Sequence, residues 1–275
     1  LSDHPLRSRL GRRVVSDEND WDVPKLRAKM AEAKAAQVDP TQTVEQATSG
    51  LTSWLDVLRW AAAVWKWLKS LGPKPPPEPP GPPTPPDAPA WVNLIVLDQG
   101  NYGTCVGNGW AGWGDATPIA DTYLEPDARR IYYEATVIDG WPDDPDAPGG
   151  GQQGATVRSG AKAMKNRGKL MAYAWAGSLA EIDDWIDNHG PIVMGTNWYT
   201  GMFDTDADGY VHVTGSVEGG HCFLMLDRLP GGAGYLFQNS WGEGWGQGGR
   251  FKISTTDLQR LLNEGGEACV AAEIV

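Results

Sequence analysis

A chain of 275 residues, 41% hydrophobic and 21% charged, can bury a sizeable core in one or two domains. Its net charge of −12 is uneven: residues 1–91 hold 12 Lys/Arg against 11 Asp/Glu, whereas residues 92–275 hold 11 against 24. That acidic stretch argues against a nucleic-acid-binding surface and favours basic substrates, though weakly at physiological salt, and three cysteines (Cys105, Cys222, Cys269) do not make a disulfide framework.

The chain opens on Leu1 with no secretory signal, so a processed or trimmed product is expected and no compartment is assigned. Residues 1–22 are polar and mixed in charge. Residues 23–36 read as a short charged helix, with Pro24 in its first turn and good helix formers after it. Residues 43–71 predict a second helix. Its polar residues Asp56, Arg59, Lys66 and Lys69 form a narrow stripe, opposite Leu51, Trp54, Leu55, Leu58, Ala62, Trp65 and Leu68. A helix so apolar must bury most of its surface, against its own chain or against a partner protein. It is too interrupted by charge for a membrane span; lying in a membrane interface is the remaining reading. Residues 73–89 are Pro-rich and predict a stiff polyproline spacer of about 50 Å at about 3.1 Å per residue. The expected organisation is therefore an N-terminal helical region (1–72), a linker (73–90) and a main domain (91–275).

From residue 91 the pattern is α+β, with helices early and strands late. An apolar extended segment at 91–97 precedes predicted helices at 106–113, 126–137, 155–167 and 179–188. The last carries a capping-box spacing, Ser178 to Glu181. Strands are predicted at 192–196, 210–213, 222–228, 235–239 and 250–253. Asp204 to Gly209 looks like half a calcium loop, but the twelfth position is Gly215 rather than a glutamate, so a turn is expected. Asp143, Asp144 and Asp146 read as a solvated loop. His4, His189 and His212 have no metal-ligand spacing, and there is no phosphate-binding or dinucleotide fingerprint; no metal or organic cofactor is expected.

Three segments carry chemistry together. Cys105 ends Gln99-Gly-Asn-Tyr-Gly-Thr-Cys and opens a predicted helix, whose start favours a thiolate. His221 lies in Gly-Gly-His-Cys-Phe on a predicted strand. Asn239 lies in Gln-Asn-Ser-Trp241-Gly, followed by a Gly/Trp-rich turn through Trp245. This order and spacing resembles the papain-like cysteine peptidases over residues 92–275, about two thirds of the chain. The resemblance implies a two-lobed α+β fold, a helical left half facing a sheet-rich right half. It implies Cys105 as nucleophile, His221 as acid and base, Asn239 as the residue orienting the imidazole, and Trp241 as its cover. The Gln99 side chain and the Cys105 N–H would hold the oxyanion.

The chain departs from the family where Tyr102 stands three residues before the cysteine in place of a half-cystine, where Val106 replaces Trp, and where Cys222 replaces Ala. The family's Gly-Gly segment, which pairs with substrate backbone, has no clean counterpart; Gly149, Gly150, Gly151 and Gly154 are the candidates. Gly11-Arg12-Arg13 through Asp17 faintly resembles the leader of bacterial and phage relatives, so inhibition in cis is one role open to the N-terminal region, beside tethering and docking. The few cysteines suit a reducing compartment or a virion. The reading is a thiol endopeptidase acting on polypeptides. The alternatives are a partner-docking or virion protein that retains the domain and binds through helix 43–71, and an amidase cutting peptidoglycan cross-links.

Overall fold

The computed structural model describes Leu6 and residues 9–13, 22–36 and 91–273. The helix expected at 43–71 and the Pro-rich spacer at 73–89 lie outside the described residues. Residues 1–27 join 89–275 in one compact unit, and 28–88 form a second, of which only the C-terminal part of helix α1 (Val23–Ala36) is described. At the start of α1, the Asp22 carboxylate accepts the Lys25 N–H at 2.9 Å, and Val23 and Leu26 are buried.

Helix α2 (Cys105–Asp115) is buried along its whole length despite four glycines, which lower its intrinsic helicity. Close packing takes the place of propensity: a Cβ on Gly107 would overlap the Ala128 carbonyl oxygen, and one on Gly109 would press on the Cys222 sulfur. Helix α3 (Glu125–Asp139) packs beside α2. It starts with Pro126 in its first turn and Asp127 accepting the Leu124 N–H at 3.0 Å, and ends at Gly140, whose φ of 85° suits glycine. The helix expected over 155–167 begins later, as α4 (Val157–Asn166). Thr156 caps it, its hydroxyl accepting the Ser159 N–H at 3.1 Å, and Ala155–Thr156 peels off as strand β2. Strand β2 pairs in parallel with β1 (Arg12–Arg13), a partner far away in the chain. Helix α5 (Leu179–Asn188) has the predicted Ser178 cap, but Glu181 reaches back to the Gly177 N–H rather than to Ser178, so the box closes one residue early.

The right half is one six-stranded sheet, antiparallel throughout. Its strands are β3 (Leu170–Trp175), β4 (Ile192–Tyr199), β5 (Val217–Arg228), β6 (Gly234–Gln238), β7 (Arg250–Ser254) and β8 (Glu267–Glu273), in the order β3-β8-β4-β5-β6-β7. Helix α6 (Thr255–Asn263) follows β7. The strand expected at 210–213 is reduced to a single bridge from Tyr210 to Lys252. The local cause is Asp206, which folds 206–210 into a turn by accepting the Asp208 and Tyr210 N–H groups and pairing with His212 at 2.9 Å. The segment at 91–97 is extended without forming a strand; the Thr117 hydroxyl and carbonyl-to-amide pairing with Thr117 hold Val92 instead. No disulfide joins Cys222 to Cys269. Helix α2 lies against β5, which brings the helix start at Cys105 to the strand that carries His221.

Candidate active site

Cys105 is the first residue of α2 and has no solvent exposure. Burial pushes its thiol up to about 11, although backbone groups of Cys222, Gly11 and Val106 and the charge of Arg12 work in the other direction. The Cys222 backbone at the sulfur is that of the residue next to His221.

His221 is also fully buried. Its Nε2 lies 2.8 Å from Asn239 Oδ1. The same oxygen accepts the Ser240 N–H at 2.8 Å, which fixes which end of the amide faces the imidazole. Nε2 therefore carries the proton and Nδ1 keeps the lone pair, the nitrogen that a thiol proton would reach. Burial pulls the imidazole down to about 4; the Asn239 bond opposes this and the charge of Arg9 adds to it. The Trp241 ring lies tilted at 4.8 Å from the imidazole, and Trp198 meets it edge-on at 4.8 Å. These rings keep water from the His221–Asn239 bond.

Gln99 sits on the loop before α2 and is tied to the Asn239 loop. Its N–H donates to the Ser240 carbonyl at 2.9 Å, and its Oε1 accepts the Ser240 hydroxyl at 2.6 Å. That leaves Nε2 as the donor, which reaches the Tyr102 carbonyl at 2.6 Å and the Arg9 carbonyl at 2.9 Å. The second contact is unexpected from local sequence, because it joins residues 90 positions apart: residues 9–13 pass between Gln99 and Ala155 on one side and Gly220 and Glu267 on the other. Arg9 pairs with Asp98 at 3.1 Å, and the Gly11 carbonyl accepts the Ala155 N–H at 2.8 Å. The Arg12 side chain is 2% exposed and pairs with Glu267 at 2.8 Å. Arg13 donates to the Gln153 carbonyl at 2.6 Å and lies over the Trp141 ring at 4.8 Å.

Of the candidate glycines, Gly154 meets this segment directly, since a Cβ there would overlap the Gly11 carbonyl. Gly151 accepts the Gly103 N–H at 2.7 Å, and Gly150 packs on the Asp144 carbonyl inside its own loop. The residue that shapes this loop is Asp143, which corrects the expectation of a solvated acidic run. It is 7% exposed, and it accepts the N–H groups of Gly151, Gln152 and Gln153, each at 2.8 Å, together with the Tyr132 hydroxyl. Burial raises its carboxyl, but these bonds outweigh it and hold it below the usual range. Arg12, Glu267 and Asp143 are the site residues that sequence reasoning missed. Gly11-Arg12-Arg13 carried a faint signal and the other two carried none. Among the described residues no cluster of His, Cys, Asp or Glu has the arrangement of a metal site.

No family model matches the chain. Over 84 residues it is 34% identical to cathepsin B-like cysteine proteinase 4 of Caenorhabditis elegans, covering 30% of this chain and 25% of that protein. Over 92 residues it is 32% identical to a gut-specific cysteine proteinase of the same organism, covering 33% of this chain and 28% of that protein. The matched part thus spans about a quarter of the length of these curated relatives. The crystal structure of xylellain, a cysteine protease from Xylella fastidiosa, superposes with a TM-score of 0.53 at 18% identity, covering 68% of this chain and 87% of that one. The fold is papain-like, with a helical half and a sheet-rich half.

Proposed function

We propose that this chain is a papain-like thiol peptidase that hydrolyses peptide bonds through a thioester on Cys105. The observation that carries the reading is the buried His221–Asn239 bond at 2.8 Å, oriented by Ser240 and roofed by Trp241, on the strand against which the helix that opens at Cys105 packs. In this mechanism His221 Nδ1 takes the thiol proton and the thiolate attacks the substrate carbonyl carbon. The developing oxyanion is held by Gln99 Nε2 and the Cys105 N–H. His221 then passes its proton to the leaving amine, and water hydrolyses the thioester with His221 as base.

Residues 9–13 occupy the place of a substrate. The Arg9 carbonyl takes the Gln99 donor, while the Gly11 amide lies against the sulfur, two residues further along. No single peptide bond thus has both its oxygen at the donor and its carbon at the nucleophile. The N-terminal region accordingly acts as a mask in cis, residues 73–90 as its spacer and 91–275 as the catalytic domain. The leader-like segment at 11–17 is what supports a bacterial or phage-type member. The docking alternative rests on helix 43–71, outside the described residues, and the curated relatives are named as proteinases.

The test is labelling with a mechanism-based epoxide inhibitor, read by intact mass, on the natural chain, Arg12→Glu and Cys105→Ala. One adduct that is strong in Arg12→Glu and absent in Cys105→Ala is expected. A folded Arg12→Glu protein that stays unlabelled would overturn the peptidase reading.

A further inference from the structure

We propose that Asn108 is a positioning residue: through one buried water it holds the Asn239 side chain, and thereby the His221 imidazole. This rests on the peptidase reading above and adds a residue that works behind that same site.

Asn108 stands in the first turn of α2, three residues after Cys105. Asparagine is a poor helix former, and a buried one needs partners for both ends of its amide. Asn108 is 4% exposed. Its Nδ2 donates to the Thr104 carbonyl at 2.9 Å and to the Thr104 hydroxyl at 3.2 Å. The carbonyl can only accept, which fixes the nitrogen end of the amide. The other end, Oδ1, is buried and has no partner among the described residues.

Two further buried amides are in the same condition. Gln238, at the end of β6, gives its Nε2 to the Ile95 carbonyl at 2.7 Å, and its Oε1 has no partner among the described residues. Asn239 uses its Oδ1 on His221 and on the Ser240 N–H, and its Nδ2 has none there either. All three side chains line one cavity of about 10 Å³ between α2, β5 and the end of β6, with Leu97, Cys222 and Leu224 among its other walls. Every residue around it is buried. That space suits a single water, and the three orphaned atoms are the partners one water needs. Asn239 Nδ2 donates to the water oxygen, and the two water hydrogens go to Asn108 Oδ1 and Gln238 Oε1. A direct bond from Asn239 to Asn108 would leave the buried Gln238 oxygen unpaired, which is why the water is the better solution.

Asn239 serves the imidazole only with its oxygen toward Nε2. The Ser240 N–H fixes that oxygen, and the water fixes the nitrogen at the opposite end. Asn108 is bound in turn to Thr104, the residue before Cys105. The start of the nucleophile's helix and the group that orients the imidazole thus form one hydrogen-bonded unit.

A crystal structure of the natural chain is expected to show one water within hydrogen-bonding distance of Asn108 Oδ1, Gln238 Oε1 and Asn239 Nδ2. A dry cavity or a direct amide contact overturns the proposal, whether or not any variant folds. The positioning role is read on two variants. Asn108→Leu fills a similar volume and offers no acceptor, whereas Asn108→Ala leaves room for a second water where the amide oxygen was. Exchange of the His221 Nε2–H proton, followed by NMR, should be at least about tenfold faster in Asn108→Leu and within about threefold of the natural chain in Asn108→Ala. A merely structural role gives the reverse order, since leucine keeps the core filled and alanine does not. Unchanged exchange in Asn108→Leu, or faster exchange in Asn108→Ala than in Asn108→Leu, therefore overturns the proposal. Should Asn108→Leu not fold, Asn108→Met takes its place with the same expectations. Added to the unmasked Arg12→Glu enzyme, Asn108→Leu should lower kcat by at least about tenfold with little change in KM, and an equal kcat overturns the role. A bridging water and faster exchange, with no hydrolysis of any peptide by Arg12→Glu alone, leave the bridge standing and remove the peptidase reading.

Discussion

The Gln99 side-chain amide donates to the Arg9 carbonyl oxygen at 2.9 Å, across 90 residues of chain. The donor proposed for a reacting carbonyl is thus already engaged by the protein itself. Arg12 anchors the same segment on Glu267.

Breaking that anchor should expose the nucleophile. Arg12→Glu places two carboxylates in one pocket, and removing one partner of a buried pair costs about 3–5 kcal/mol. The rate of epoxide labelling at Cys105 is expected to rise by at least about tenfold. A natural chain that is already labelled as fast as a variant with native circular dichroism would mean that the segment does not limit access.

The imidazole gives a pH signature. His221 sits at about 4 when folded, because burial disfavours its charge, against an ordinary value of 6.5. Between those values the unfolded chain binds a proton that the folded chain refuses. The stability present above pH 6.5 is therefore lost as pH falls toward 4, by at most about 3 kcal/mol. Urea melts at pH 7 and pH 4.5 should show this extra loss in the natural chain relative to His221→Asn. A constant difference between the two proteins would count against a neutral buried imidazole.

Asp115 works in the opposite direction, which is why the comparison must be made by variant. Burial raises its carboxyl to about 7, while its Oδ1 accepts the Tyr123 N–H at 2.6 Å. Above pH 7 a charge is forced on a buried group; an asparagine keeps the acceptor and removes the charge. Asp115→Asn should raise Tm at pH 8 and leave it nearly unchanged at pH 4. A lower Tm at pH 8 would refute this account.

In the unmasked enzyme, Asn239→Ala and Gln99→Ala should separate orientation from oxyanion binding. Loss of Asn239 frees the imidazole, with an expected fall in kcat of about 10²-fold and little change in KM. Loss of Gln99 removes a transition-state donor, again about 10²-fold in kcat. In the masked chain, however, it should also speed labelling by releasing Arg9. Slower labelling in masked Gln99→Ala would break the link between the donor and the mask.

Asp143 holds the loop that ends at Gly154 and Ala155. Asp143→Ala leaves three backbone N–H groups and the Tyr132 hydroxyl without their acceptor, and a loss of about 3 kcal/mol is expected. Because its folded carboxyl is held below the ordinary value, this contribution is present at neutral pH. It disappears as pH falls through the low folded value. Chemical denaturation at pH 7 measures it, and a change below about 1 kcal/mol would show that the loop is held by other contacts.

The candidate site residues were legible because they sit in short strings with local causes. A cysteine at a helix start, a histidine on a strand and an asparagine before Ser-Trp-Gly each announce themselves within a few residues. So do α3 and α5, through Pro126 and the Ser178 cap at their starts and the glycines Gly140 and Gly190 after their ends. Strands β3 and β8 were not legible: Leu-Met-Ala-Tyr-Ala-Trp and Glu-Ala-Cys-Val-Ala-Ala-Glu are alanine-rich, and their extended form comes from pairing with each other and, for β8, with β4. Asp143 read as one of several acidic loop residues, because nothing local tells which carboxylate the loop will wrap around.

The sequence by itself determined which residues can do acid–base and nucleophilic work, through residue type and order. The tertiary structure alone decided that Arg12 would lie on Glu267, 255 residues away, and that burial would push the Cys105 thiol up and the His221 imidazole down. Burial and ion pairing are properties of the space that the fold closes, and no periodicity along the chain encodes them.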